Sequence, residues 1–107
     1  MESKTAVTAL AALAQESRLA IFRCLVQAGA EGMPAGKLSA ELGIPPSSLS
    51  FHLKELTHAG MVRSRQEGRF VIYQANYDAA SALIAFLTEN CCQGSGESCM
   101  PASPCPR

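Results

Sequence analysis

Apolar residues recur at helical spacing through the first sixty positions, then alternate, then return to helical spacing. Residues 4–14 form an Ala-rich segment with Val7, Leu10, Ala11 and Ala14 on one side, which predicts a short helix. A second helix is expected from Glu16-Ser17-Arg18, with Ser17 as N-cap. Its apolar positions Leu19, Phe22 and Val26, with Ile21 and Leu25, predict a wide buried stripe, and Gly29 and Gly32 flank its end. A third, short helix is predicted over 35–42, stopping at Gly43. Pro45-Pro46 restarts the chain, with Pro46 suited to a first helical position, and the fourth helix runs to about His58 before Gly60. A short helix, a Gly-containing turn and a second helix make a helix-turn-helix pattern.

After Gly60 the period becomes two. Met61-Val62-Arg63-Ser64-Arg65 and Phe70-Val71-Ile72-Tyr73-Gln74 alternate about Glu67-Gly68, which predicts a β-hairpin. Helical spacing resumes over 76–90, with Ala80, Leu83, Ile84 and Leu87 on one face and Asn76 or Asp78 as the cap. From Cys91 the chain is rich in Gly, Ser, Pro and Cys and carries no period, as expected of a tail that orders only on binding. The predicted fold is mainly α with a β-hairpin wing, a winged helix-turn-helix. Residues 1–90 are expected to form the folded domain and 91–107 a flexible cysteine-rich tail.

At 107 residues the chain has room for one small domain, a size at which oligomerisation often supplements the core. No apolar run is long enough to span a bilayer, and Met1-Glu2-Ser3-Lys4 lacks the form of an export signal, so the cytosol is expected. There, five cysteines point to metal ligands or core thiols rather than disulfides. Nine basic and nine acidic residues leave no net charge, which argues mildly against a nucleic-acid partner. The distribution offsets this. Residues 52–69 hold Lys54, Arg63, Arg65 and Arg69 against Glu55 and Glu67, a local excess of +2 where the reading elements would lie.

On a helical wheel of residues 47–58, Leu49, Leu53 and Leu56 share the core side. The opposite side carries Ser47, Ser50, Phe51, Lys54 and His58, with Ser48 beside them in the first turn. Hydroxyls and a lysine near a helix N-terminus suit phosphate and base-edge contacts in a major groove. Phe51 either touches a thymine methyl or packs on a neighbouring loop. His52, near the apolar side, suits a hydrogen-bonded interior histidine better than a metal ligand. Arg69 at the hairpin tip, with Arg63 and Arg65 on the first strand, is placed to meet a phosphate or the minor groove.

These residues carry a resemblance. Ser48-x-Ser50-x-His52-Leu53-x-x-Leu56-x-x-Ala59-Gly60-x-Val62, then Arg65-x-Glu67-Gly68-Arg69-x-x-x-Tyr73, resembles the ArsR/SmtB family of winged-helix metal-responsive repressors. Leu10-x-x-Leu13-Ala14-x-x-x-Arg18-Leu19-x-Ile21-Phe22 is similar to the family's opening, so the likeness spans roughly residues 8–90. It implies a homodimer built on the first and last helices, which binds palindromic operator DNA and releases it when the inducer arrives.

The family's sensing sites vary. The cysteine pair that many arsenic-responsive members carry before the reading helix is absent from Lys37–Leu42, and the last helix lacks the histidine of zinc-responsive members. What remains is Cys91, Cys92 and Cys99, which resembles a subset of arsenic-responsive members with cysteines at and beyond the end of the last helix. The chemistry points the same way. Thiolates select soft ions, and trivalent arsenic and antimony bind three sulfurs in a pyramid. Adjacent cysteines have Cα atoms about 3.8 Å apart, too close for an ordinary disulfide, yet both can lean toward one large ion. Gly94-Ser95-Gly96 lets Cys99 fold back at modest entropic cost. A negative helix C-terminus should keep these thiols protonated until an ion displaces the protons. Cys105 suits an auxiliary role and Cys24, beside Leu25, a core thiol.

The expected function is therefore transcriptional repression relieved by arsenite or antimonite. Within the same fold, a thiol redox sensor or a cadmium-, lead- or zinc-sensing repressor is the alternative. An enzyme such as a cysteine-based arsenate reductase is not expected: seven residues separate Cys99 from Arg107, where a Cys-x5-Arg phosphate loop needs five.

Overall fold

The computed structural model describes residues 1–91. Five helices and three strands follow in the order α1 (Ser3–Leu13), α2 (Glu16–Ala28), a 3-10 turn (Gly29–Glu31), β1 (Met33–Pro34), α3 (Ala35–Leu42), α4 (Pro46–His58), β2 (Val62–Glu67), β3 (Phe70–Ala75) and α5 (Tyr77–Leu87). The helix-turn-helix is α3–α4, and β2–β3 form the wing, so the architecture is the winged helix-turn-helix expected. The wing is antiparallel and closes with Glu67 opposite Phe70, leaving Gly68-Arg69 as a two-residue loop. Gly68 takes φ 61° at the first loop position, where a side chain would be strained, and this sets Arg69 at the tip. The loop lies one residue later than the Glu67-Gly68 turn the alternation suggested.

The two-residue strand β1 carries no periodic signal and was not anticipated. It pairs with β3, Met33 opposite Tyr73 and Pro34 opposite Ile72, making a three-stranded sheet in the order β1-β3-β2. Gly32 permits that pairing. Its φ of 68° and ψ of −161° suit glycine alone, and a Cβ there would lie 2.3 Å from the Tyr73 carbonyl oxygen.

The core gathers Ile21 and Leu25 from α2, Leu38 from α3, Leu49, Leu53 and Leu56 from α4, and Met61 and Val62 at the wing's base. Among the described residues no polar or charged side chain is buried. In three helices the buried stripe is narrower than, or out of phase with, the one predicted. α1 buries Ala6, Ala9 and Ala12, while Val7 is 64% exposed and Leu10, Ala11 and Ala14 also face outward. In α2, Leu19 and Val26 are exposed, and in α5 only Leu83 is buried, with Ile84 and Leu87 each 58% exposed. Small alanines let α1 approach the body closely, which turns its larger side chains away.

Capping also differs from expectation. The N-cap of α2 is Gln15, whose side-chain oxygen accepts from the Arg18 backbone N–H at 2.8 Å, and Ser17 lies inside the helix. Of the two candidate caps of α5, Asn76 takes the role, accepting from Ala79 N–H at 3.1 Å, and Asp78 lies within the first turn. The same amide donates to the Gly60 carbonyl at 2.8 Å, and Asn76 N–H donates to the Met61 carbonyl at 2.9 Å. Tyr77 Oη donates to the Val26 carbonyl at 3.0 Å. These bonds fasten the first turn of α5 to the α4–β2 turn and to the end of α2. The helix closes at Leu87 rather than running to residue 90.

Candidate nucleic-acid interface

Helix α4 begins at Pro46 behind a Pro45 that offers no capping side chain, and its first turn holds no acidic residue. The N–H groups of that turn therefore have no side-chain cap and no acidic neighbour within the turn, a setting suited to an anion. Leu49, Leu53 and Leu56 anchor the inner face. Ser47, Ser48, Ser50, Phe51, Lys54 and His58 are all exposed, Phe51 at 57%. Arg69, exposed at the wing tip, is the remaining residue of the set.

Phe51 stands against His52 with ring centroids 5.8 Å apart and planes at 63°. It touches that ring edge-on yet leaves most of its own surface in water. His52 is half-buried, and its Nδ1 lies 3.5 Å from the Arg18 guanidinium, whose Nε donates to the Ala12 carbonyl at 2.6 Å. This matches a packed histidine held by a neighbour.

The other wing arginines are occupied elsewhere. Arg65 donates to Glu67 at 2.7 Å, to Gln74 at 2.6 Å, and to the carbonyls of Ala30 at 3.3 Å and Glu31 at 2.8 Å. These bonds hold the wing against the 3-10 turn, so in this structure Arg65 is committed to the fold where Arg69 is not. Arg63 lies 3.9 Å from Asp78, with both side chains well exposed, a weak pairing.

Register explains what the sequence reading overlooked. Ser64 and Tyr73 are cross-strand partners, and both face α4, where they line an open cleft with Leu53, Lys54, Thr57 and His58. Their alternation was visible in the sequence, but which face met α4 depends on the strand pairing.

Of the three proposed sensing cysteines, only Cys91 falls within the described residues. It is half-buried just past α5, and its N–H donates to the Thr88 carbonyl at 3.1 Å. Cys92, Cys99, the auxiliary Cys105 and the tail they belong to lie outside the described residues. Among the described residues no three His, Cys, Asp or Glu side chains gather into a metal site. Cys24 is only half-buried. Its thiol donates to Glu41 at 3.7 Å and is pushed above the ordinary thiol range, first by burial and then by the Glu41 charge. No helix among these residues is long and apolar enough to cross a membrane.

Comparison with known proteins agrees with this geometry. A helix-turn-helix domain family matches residues 13–65. The transcriptional activator HlyU of Vibrio cholerae is 35% identical over 91 residues, covering 85% of this chain and 82% of that protein. A putative arsenical resistance operon repressor of Halobacterium salinarum is 37% identical over 79 residues, covering 74% of this chain and 60% of its own length. Among solved structures, an ArsR-like regulator from Rhodococcus sp. RHA1 superposes with a TM-score of 0.71 at 26% identity, covering 78% of this chain and 76% of that one. Reduced HlyU from Vibrio cholerae superposes at 0.65 with 33% identity, covering 85% and 93%.

Proposed function

The chain belongs to the ArsR/SmtB family of winged-helix, DNA-binding transcriptional regulators, and from that premise we propose that it is a homodimeric repressor released from operator DNA by trivalent arsenic or antimony. The observation that carries the DNA-binding half is the outer face of α4. Its uncapped N-terminus, three serine hydroxyls, Phe51, Lys54 and His58 are all exposed on a helix whose inner face is fully committed to the core. Arg69 extends the contact from the wing. Exposed apolar side chains on α1 and α5, Val7, Leu10, Ile84 and Leu87, supply the surface for the second copy. Two reading helices then address a palindromic site.

The sensing half rests on the chemistry of Cys91, Cys92 and Cys99. Three thiolates suit a pyramidal soft ion, and Cys91 lies four residues past the end of α5, the helix that carries part of the apolar surface assigned to the dimer. An ion captured there would alter the α5 contact and hence the spacing of the two α4 helices. The ion must bind the DNA-free form more tightly, and DNA must weaken ion binding by the same factor. A coupling of about 1–3 kcal/mol suffices.

Arsenite titrated into a protein–DNA complex should release the protein, and a Cys91→Ser/Cys92→Ser/Cys99→Ser variant should stay bound. Absence of release, or release of the triple variant, defeats the sensing half. Retention of a folded protein that selects no duplex sequence defeats the reading half. X-ray absorption at the arsenic edge should count three sulfur neighbours.

A relative studied in a reduced form supports a second reading, in which the same thiols respond to oxidation. That reading expects release by peroxide, reversed by a reductant, and little response to arsenite. Cadmium, lead or zinc as inducer is separated by the same titration.

A further inference from the structure

Arg18 lies in the first turn of α2, yet its side chain serves two other helices. Its Nε donates to the Ala12 carbonyl at 2.6 Å. Ala12 stands in the last turn of α1, where carbonyls run out of helical partners and a cation is favoured. That turn carries no basic residue of its own, so Arg18 supplies the charge and the donor together. Nη1 of the same guanidinium lies 3.5 Å from Nδ1 of His52, midway along α4 and 34 residues later in the chain. A guanidinium only donates, so Nδ1 is the acceptor and the ring hydrogen belongs on Nε2.

The contacts continue to the reading face. His52 is half-buried, and its ring meets Phe51 edge-on with centroids 5.8 Å apart. Phe51 is 57% exposed, so more than half of its surface makes no contact that would fix it. Beside these residues α1 and α4 are parted by an open cleft of about 580 Å³, whose lining includes Val7, Ala11, Arg18, Lys54 and His58. Side chains do not fill that gap, which leaves Arg18 as a polar tie across it.

We propose that Arg18 is a positioning residue for base recognition: through His52 it fixes the Phe51 ring on the reading face and refers its placement to the end of α1. The assignment rests on the reading of α4 as the helix that reads DNA. A ring already held loses less rotamer freedom on meeting a base than a free one. A residue that never touches the duplex can thereby sharpen preference at one base pair.

The test takes the duplex that the full-length wild type selects from a random-sequence library, together with its single-base-pair variants. Discrimination is the ratio of their dissociation constants, and Phe51→Ala marks the base pair that Phe51 reads. Arg18→Gln and His52→Ala should each lower discrimination at that base pair about 3–10-fold and leave it unchanged elsewhere. The double variant should lose no more than either single one, because both act through one ring. In a Phe51→Ala background neither substitution should alter discrimination further. A readout free of DNA comes from NMR: Overhauser contacts between the Phe51 and His52 rings should weaken in Arg18→Gln. Arg18→Lys keeps a charge at the end of α1 but, as a single point donor, cannot also reach His52. It should show the same loss, and it carries the test if Arg18→Gln fails to fold by circular dichroism. Unchanged ring contacts, a loss spread evenly over all base pairs, or a loss that persists without Phe51 overturns the positioning role while leaving α4 as the reader. So does unchanged discrimination in the Arg18 variants, or a Phe51→Ala variant with unaltered base preference. If the wild type selects no duplex, the reading of α4 falls and the positioning role falls with it.

Discussion

The guanidinium of Arg65 donates to the main-chain carbonyl of Glu31 at 2.8 Å, joining the wing to a turn 34 residues earlier in the chain. The same planar group serves Ala30, Glu67 and Gln74. Lysine, a single point charge, cannot reach four acceptors in one plane. Arg65→Ala and Arg65→Lys should both destabilise the fold by about 1–2 kcal/mol in urea denaturation. Hydrogen exchange should quicken in β2 and β3 and stay unchanged in α4. DNA binding should weaken through loss of wing order, with little change in salt dependence, which separates this role from a direct phosphate contact.

Gly32 sits where β1 approaches β3. In Gly32→Ala the added methyl would lie within 2.9 Å of the Ile72 side chain and closer still to the Tyr73 carbonyl. The backbone conformation there also excludes a side chain. The cost should be about 3 kcal/mol or more, seen as a fall in the denaturation midpoint. Gly36→Ala, where a Cβ meets nothing within 4 Å and α3 continues, should be neutral or slightly stabilising in the same assay.

Phe51 offers a separable test of the reading face. Because it is 57% exposed, Phe51→Ala should change stability by no more than about 0.5 kcal/mol. If Phe51 meets a thymine methyl, affinity for a selected duplex should fall about 5–10-fold, and preference at one base pair should relax. Competition against duplexes with uracil in place of thymine, which removes only the methyl groups, should reproduce the loss at that position.

Ile84 and Leu87 are each 58% exposed on α5, one turn apart. Ile84→Asp/Leu87→Asp should therefore leave the monomer folded by circular dichroism. Sedimentation should show dimer for the wild type and monomer for the variant, and duplex affinity should fall with the loss of the second reading helix.

Cys24 gives a pH signature. Its thiol is pushed above the ordinary range, by burial first and by Glu41 second, so the folded state favours the neutral form. This contribution to stability is intact below the thiol pKa of the unfolded chain, about 8.5. It is lost as pH rises through the folded value, because the unfolded chain then releases its proton more readily. At pH 8 iodoacetamide should modify Cys24 more slowly in the folded protein than in urea. Glu41→Gln should speed the folded reaction, as read by peptide mass spectrometry.

The order of elements was legible in the sequence because each has a strong local cause: Pro46 opening α4, Gly43 closing α3, alternation on both wing strands, Asn76 capping α5. Helical phase was less legible. Val7 and Leu10 fit one apolar stripe and Ala6, Ala9 and Ala12 another, and close approach to the body favours the smaller set. Amphipathic counting ranks side chains by hydrophobicity and does not register how near two backbones must come. The exposed face of α4 was identifiable because its leucine spacing dictates which side meets the core. Ser64 and Tyr73 were not, since their placement needs the β2–β3 register, and Arg65 looked like any other basic wing residue until its carbonyl partners were known.

The bonds of Asn76 and Tyr77 give α5 a fixed fulcrum at its first turn, beside the end of the reading helix. The helix extends about 16 Å from that point, with Cys91 beyond its far end. In the proposed homodimer, torque applied at the distal end would be felt first by a second copy packed along the shaft, and last by the joint itself. A regulator built this way would change the distance between its two hands without loosening either grip.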